Sequence, residues 1–88
     1  MWTIKFTKNA EKDKKLIKNA GLEEKTKKLL NIMAENPFQN PPKYEKLVGD
    51  LDGYYSRRIN LKHRLVYRVL EEENTIVVHS MWSHYGDN

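Results

Sequence analysis

Three residues of this 88-residue chain, Glu45, Arg64 and His84, combine the side-chain types needed for acid–base chemistry at a phosphate. Histidine has an ordinary pKa of about 6.5 and passes protons near neutral pH, so His84 is a candidate general acid. A carboxylate beside arginines can act as a general base, a role that suits Glu45. The planar guanidinium of an arginine binds phosphate oxygens as a fork. Metal-free cleavage of RNA needs these three functions together.

Other basic and aromatic residues lie near these three in the sequence. All four arginines fall between residues 57 and 68, so Arg58 is available to help Arg64 hold a phosphate. Four aromatic side chains offer ring faces on which unpaired bases can stack: Tyr54, Tyr55, Trp82 and Tyr85. His63 and His79 are interpreted as turn or packing residues rather than catalysts. This inventory favours a metal-free acid–base nuclease.

Residue types and motifs that other enzyme classes need are absent from the sequence. Cysteine is absent, which excludes disulfides, thiolate zinc sites and thiol nucleophiles. The sequence also lacks a His/Asp/Glu cluster with metal-ligand spacing, a glycine-rich phosphate loop and a G-x-S-x-G elbow. We therefore expect neither a metal nor an organic cofactor.

Length, charge and hydropathy restrict the class of protein further. The chain has room for one domain, 1–88, and its net charge is +4. Nine lysines and five acids lie within residues 1–35, which suits long-range attraction to a polyanion, or simply a solvated helix face. No apolar run approaches the roughly 18 residues that span a bilayer. Because no signal-peptide stretch opens the chain, we expect a cytoplasmic protein without a membrane partner.

The elements that must position the candidate residues begin with a strand and two helices. Residues 2–6 alternate apolar and polar side chains, as a half-buried strand does. Thr7 or Asn9 can cap a first helix, and Gly21 is suited to end it. Apolar residues at three- and four-residue spacing then predict a second amphipathic helix over 22–34, so that the two helices form a hairpin.

The second half of the chain predicts an antiparallel meander. Three prolines make residues 36–42 an irregular segment, which we call the proline connector, and residues 44–47 are expected to form a brief edge strand. A turn over 49–53 leads into three strand-like runs, at 54–59, 64–70 and 75–81. The predicted fold is therefore α+β, with an N-terminal strand, a two-helix hairpin and then an antiparallel twisted sheet.

Alternation along the predicted strands decides which arginines can share a site. If Leu65 points toward the helices, Arg64 lies on the opposite, open face, and Arg58 of the preceding strand joins it there. The same face would also hold Tyr54, Ser56, Val66 and Arg68. This scheme turns Arg57 inward, where it needs a partner or a bulge that the sequence does not identify.

Several ordered segments carry a family resemblance. They are N-P-F at 36–38, Y-E-K-L at 44–47, L-D-G-Y-Y-S-R-R-I at 51–59, H-R-L-V-Y at 63–67 and H-Y at 84–85. Together they closely resemble the YoeB (Txe) toxins, a branch of the RelE/ParE-type toxin superfamily. The similarity spans nearly the whole chain and is strongest from residue 37 to residue 67.

The resemblance implies a toxin that enters the ribosomal A site and cuts the mRNA held there. It also implies a microbial-RNase-like fold, a homodimer and a YefM-type antitoxin whose disordered tail wraps the toxin. On matching positions it implies that Glu45 is the general base, Arg64 the stabiliser of the transition state and His84 the general acid. Tyr85 would orient the substrate. Contacts to RNA are expected from Lys46, Arg58, His63 and Tyr54.

The sequence departs from the family pattern at three places. Many relatives carry a basic residue three positions after the glutamate, where this chain has Val48. Lys46 is near, but it points to the other side of a regular strand. Trp82-Ser83 replaces a more basic or aromatic pair, and residues 86–88 extend past Tyr85.

Two other functions stay open on these residues. A non-catalytic module could bind RNA or the ribosome and block translation by occupancy, an alternative that Val48 motivates. A structural partner could merely cap the DNA-binding complex of an antitoxin. The resemblance predicts neither a codon preference nor activity away from the ribosome.

Overall fold

A computed structural model describes residues 1–84 of the chain. This part of the chain contains two α-helices and five β-strands. For Ser83 and His84 the backbone alone is described. Tyr85 and residues 86–88 lie outside the described residues, so the orienting role of Tyr85 stays a prediction. No helix within residues 1–84 is long and apolar enough to cross a bilayer.

The first helix is capped by Thr7. The hydroxyl oxygen of Thr7 accepts a hydrogen bond from the Ala10 N–H at 3.1 Å and so satisfies one of the unpaired amides at the start of α1 (Lys8–Asn19). Asn9, the alternative cap, instead donates from its side-chain amide to the carbonyl oxygen of His79 at 3.4 Å. The sequence thus predicted the helix start, and the tertiary structure decided between the two caps.

Gly21 joins the two helices, as predicted. Its φ of +73° lies in the left-handed region, which glycine adopts without a Cβ clash. The chain then enters α2 (Glu23–Glu35), whose buried side chains include Leu29 and Met33, one helical turn apart. In α1 the apolar residues that face the core are Ala10 and Ile17. The predicted hairpin of amphipathic helices is confirmed.

The sheet is mixed, with strand order β1-β5-β4-β3-β2. Its strands are β1 (Thr3–Phe6), β2 (Glu45–Lys46), β3 (Tyr55–Arg58), β4 (His63–Leu70) and β5 (Thr75–His84). The strands β2 to β5 pair antiparallel, whereas β1 lies parallel to β5 at the sheet edge. The α+β class and the antiparallel meander are confirmed. The brief edge strand exists as the two residues of β2.

Both helices contribute to one apolar core against one face of the sheet. Leu65 and Tyr67 of β4 are fully buried in it, as alternation predicted. The buried core members are Ala10, Ile17, Leu22, Leu29, Met33, Ile59, Leu65, Tyr67, Ile76, Val78 and Met81. Burial of each large apolar side chain stabilises the fold by about 1.5–3 kcal/mol. The arginines of the open face therefore stand on a sheet that is packed from behind.

Strand β5 contains extra residues relative to β4. The register runs through three facing pairs, Arg64 with Ser83, Val66 with Ser80 and Tyr67 with Val78. Such bulges leave backbone groups unpaired and increase the twist of a strand. α1 and its cap supply partners there. The hydroxyl of the cap residue Thr7 donates to the His79 carbonyl oxygen, and the buried Asp13 carboxylate of α1 accepts from the Met81 N–H, each at 2.9 Å. Strand β5 continues to His84, three residues past its predicted end.

Candidate active site

Glu45 and Arg64 form an ion pair on the open face of the sheet. Glu45 of β2 lies opposite Ser56 of β3, and Arg64 of β4 lies opposite Arg58 of β3. Arg64 therefore reaches diagonally over β3, where its Nη2 donates to Glu45 Oε1. The Glu45 side chain is 44% exposed, against 16% for Arg64. The carboxylate is thus oriented from one side and open to a substrate on the other.

A cleft of about 260 Å³ includes this carboxylate. Its lining residues are Pro42, Lys43, Glu45, Ser56 and Arg58. The first belongs to the proline connector and the second follows it directly, whereas the other three stand on β2 and β3. Two cations and a carboxylate in one cleft suit a phosphodiester substrate. Within residues 1–84, no three His, Asp or Glu side chains lie close enough together to hold a metal ion.

The Ser56 hydroxyl adds a polar group that the predicted set of site residues did not include. Ser56 is only 1% exposed, and its Oγ has no hydrogen-bond partner among the described residues. The sequence carried a signal for it, because Ser56 and Arg58 are two residues apart on one strand and share a face. Lys43 carried no comparable signal, since the irregular segment before β2 has no period.

Tyr54 stands on the open face, outside the cleft lining. Its ring centroid lies 5.2 Å from that of His79, with the ring planes inclined at 62°. The Arg68 guanidinium lies 6.0 Å from the Tyr54 ring centroid. Tyr54 is half-buried, so protein groups orient its ring. The His79 ring thus packs against Tyr54, which agrees with its interpretation as a packing residue.

Two of the residues expected to contact RNA lie away from the cleft. Lys46 follows Glu45 in β2, so its side chain points to the other face of that strand. His63 is 7% exposed, and its ring is stacked on Trp82 with centroids 3.8 Å apart and planes 18° apart. Lys46 lies outside the cleft because side chains alternate along a strand. His63 lies outside it because its ring is buried against Trp82.

Strand β5 brings the backbone of His84 to the start of β4. His84 pairs with His63, one position from the Arg64 and Ser83 pair. The candidate acid therefore sits on the sheet rather than on a free tail. Its side chain lies outside the described residues, so the role of His84 as general acid stays a prediction.

Arg57 is the inward-facing arginine for which the sequence identified no partner. It is 1% exposed, and its guanidinium donates to the Tyr67 phenol oxygen and to the carbonyl oxygens of Pro37, Gln39 and Pro42. Burial raises the pKa of the Tyr67 phenol above its ordinary value near 10, while the charge and the hydrogen bond of Arg57 act in the lowering direction. Arg57 is thus paired through the fold.

Residues 4–85 match the sequence model of a family described as "YoeB-like toxin of bacterial type II toxin-antitoxin system". The chain belongs to this family. It is therefore a toxin of a type II toxin–antitoxin system. The matched range includes Glu45, Arg64 and His84 and ends at Tyr85.

The chain is also similar to individual members of the family, both in sequence and in solved structure. The toxin is 40% identical to Toxin YoeB of Synechocystis sp. over 67 residues, which cover 76% of this chain and 71% of the relative. It superposes on a heterotetrameric YoeB–YefM complex from Staphylococcus aureus with a TM-score of 0.79 and 38% identity, covering 97% of this chain and 99% of that chain. A YoeB dimer from Staphylococcus aureus gives a TM-score of 0.80 and 38% identity, with coverage of 96% and 98%. The family resemblance and the fold are confirmed.

Proposed function

We propose that this toxin is a ribosome-dependent mRNA endoribonuclease. The observation that supports the proposal is the Glu45–Arg64 ion pair at a cleft that Lys43 and Arg58 also line. A carboxylate with one open side can accept a proton, and the cations can take up the charge that develops on a phosphate. Cleavage of mRNA would stop translation and so account for toxicity.

In the proposed reaction Glu45 removes the proton of a ribose 2′-hydroxyl, and the resulting oxygen attacks the neighbouring phosphorus atom. The bond between phosphorus and the 5′-oxygen breaks, and His84 donates a proton to that oxygen. The products are a 2′,3′-cyclic phosphate and a 5′-hydroxyl. Glu45 gains one proton and His84 loses one, so the step is balanced without a further reactant.

Positive charge at the scissile phosphate is the second part of the mechanism. Arg64 is already held by Glu45, so little reorganisation is needed when charge develops in the transition state. Loss of one such preorganised donor costs about 10²–10³-fold in rate. Arg58 lines the cleft and is proposed to hold the same phosphate, while Tyr85 is proposed to orient the substrate.

The proposed substrate is single-stranded mRNA in the ribosomal A site. Lysines within residues 1–35 would attract ribosomal RNA at long range. The ring of Tyr54 offers a surface on which an unpaired base can stack. By analogy with the relatives from Staphylococcus aureus, we propose a homodimer and a YefM-type antitoxin, with the cytoplasm as the site of action.

One observation favours a second candidate function, a non-catalytic blocker of the ribosome. Val48 is 82% exposed and apolar, at the position where many relatives carry a basic residue. A toxin that lacked a phosphate contact could still occupy the A site without cutting mRNA.

Primer extension on mRNA in translating ribosomes separates the two candidates. A nuclease gives discrete new 5′ ends, and His84→Ala should reduce their yield by about 10²–10⁴-fold. A blocker gives ribosome stalling without new 5′ ends. The absence of growth arrest when the toxin is expressed alone would instead favour a structural partner of the antitoxin.

A further inference from the structure

Arg57 is the most buried charged side chain on the sheet, and its hydrogen bonds run to one distant segment. Nη1 donates to the Pro42 carbonyl oxygen at 2.5 Å, and Nη2 donates to those of Pro37 and Gln39 at 2.9 Å each. Nε donates to the Tyr67 phenol oxygen at 3.1 Å. Three of these four acceptors are therefore backbone carbonyls of the proline connector.

The composition of the connector explains why it needs an external donor. Prolines at positions 37, 41 and 42 have no N–H, so the segment has few backbone donors with which to pair its own carbonyls. An arginine carries five N–H donors in a fixed fork and no acceptor, which matches an array of carbonyl oxygens. The Tyr67 hydroxyl adds a further donor, to the Pro37 carbonyl oxygen at 3.0 Å.

Two aromatic rings, those of Tyr44 and Tyr67, lie near this buried guanidinium. The guanidinium carbon of Arg57 lies 5.0 Å from the ring centroid of Tyr44, the residue before Glu45. Tyr44 in turn packs against Tyr55, with centroids 5.9 Å apart. A buried cation between ring faces is stabilised by the ring quadrupoles. The connector and the start of β2 are thus fixed to β3 by one side chain.

The same segment forms part of the cleft. Pro42 accepts a hydrogen bond from Arg57 and also lines the cleft, and Glu45 follows three residues later. Because β2 contains only two residues, its short pairing with β3 gives little independent support to Glu45. We infer that Arg57 is a positioning residue, which fixes the proline connector and thereby holds Glu45 against Arg64. This inference rests on the proposed nuclease function.

Lysine cannot replace arginine in this role. A lysine ammonium keeps the charge, but it cannot hold carbonyl oxygens in several directions through a planar fork. In Arg57→Lys the connector should shift and carry Glu45 with it. A misplacement of about 1 Å at a reacting group costs on the order of 10²-fold in rate. The affinity for the ribosome, which does not depend on the exact place of the carboxylate, should change little.

Single-turnover cleavage of mRNA in programmed ribosomes, measured over a range of toxin concentrations, tests this inference. We expect Arg57→Lys to lower the rate at saturating toxin by about 10²-fold while the half-saturating concentration stays within about twofold. The control is Leu29→Ala, which weakens the core on α2 at a residue outside the connector. Assayed where circular dichroism shows both variants folded, the control should keep the wild-type rate. Equal rates for the two variants would overturn the inference.

A second variant covers the case in which Arg57→Lys does not fold. Tyr67→Phe removes one acceptor of Arg57 and one donor to Pro37, and it leaves the other three Arg57 bonds in place. It should lower the saturated rate in the same direction by a smaller factor. If it leaves that rate unchanged, the connector does not position the base.

The proposed function and this inference fail in different ways. If wild-type toxin does not cut mRNA, or if Glu45→Gln cuts as fast as wild type, the nuclease assignment fails. If wild type cuts, Glu45→Gln does not, and Arg57→Lys cuts at the wild-type rate, the nuclease assignment stands and the positioning role of Arg57 is wrong.

Discussion

Arg64 reaches over the whole width of strand β3 to bind the carboxylate of Glu45, a residue 19 positions earlier in the chain. The two residues stand on strands that never pair with each other. Their contact therefore depends on the register of both with β3, and a register slip on either side would separate them. We therefore expect substitutions in this ion pair to lower the rate of cleavage, and a substitution of Lys43 in the cleft to weaken RNA binding.

Neutralising Glu45 should stop cleavage without preventing ribosome binding. Glu45→Gln keeps the size of the side chain but removes the basic carboxylate, so the single-turnover rate should fall by about 10²–10⁴-fold. Co-sedimentation with ribosomes should stay near that of the wild type. Glu72→Gln makes the same chemical change at an exposed site in the short 3-10 turn between β4 and β5, and it should cut normally. Full activity of Glu45→Gln would assign the base elsewhere.

Replacing Arg64 by lysine should separate charge from geometry. Lysine keeps a positive charge but cannot hold Glu45 and a phosphate through one planar group. We expect Arg64→Lys to lose about 10²–10³-fold in single-turnover rate. Arg68→Lys, on the same strand and face, serves as the control and should retain most of its activity. If both variants cut alike, general positive charge rather than the ion pair determines the rate.

The two lysines beside Glu45 should contribute unequally to RNA binding. Lys43 lines the cleft and Lys46 points to the other face of β2. Lys43→Gln should raise the half-saturating toxin concentration, and it should reduce the slope of log affinity against log salt by about 1. Lys46→Gln should have a smaller effect on both quantities. A larger effect of Lys46→Gln than of Lys43→Gln would instead support the RNA contact that the sequence predicted for Lys46.

The buried phenol of Tyr67 should make the fold sensitive to alkaline pH. Because burial raises its pKa, the folded protein keeps the proton in a range where the unfolded chain has lost it. Its contribution to the free energy of unfolding is therefore fully present below about pH 10 and decreases as the pH rises toward the folded-state pKa, by at most about 1.4 kcal/mol per pH unit. Urea unfolding of wild type and Tyr67→Phe between pH 8.5 and 11 measures this difference. If the free energies of unfolding of the two proteins changed in parallel with pH, the proposed contribution of the Tyr67 phenol would be contradicted.

Much of the architecture and the open face followed from local patterns in the sequence. Gly21 marked the end of the first helix, because a left-handed residue is a property of one position. Arg58 and Arg64 were placed on a common face, because alternation has a period of two along any strand. Glu45 was selected from its residue type as a carboxylate beside arginines, and the family motif implied its role as general base. Each of these predictions needed only neighbouring residues or a contiguous motif.

Other features depended on segments that meet only in the folded chain. The sequence placed Arg57 on the inner face of its strand without a partner. In the folded chain its partners are carbonyl oxygens of the proline connector, 15 to 20 residues earlier. Lys43 lines the cleft, but it lies in an irregular segment where the side chains follow no helical or strand period, so the sequence did not predict its place. Burial of His63 beneath Trp82, and the parallel pairing of β1 with β5, likewise required contacts between distant segments. Strand alternation and the left-handed conformation of Gly21 are properties of the local backbone, so the sequence alone predicts them. The partner of a buried charge depends on which distant segments pack together, so only the tertiary structure determines it.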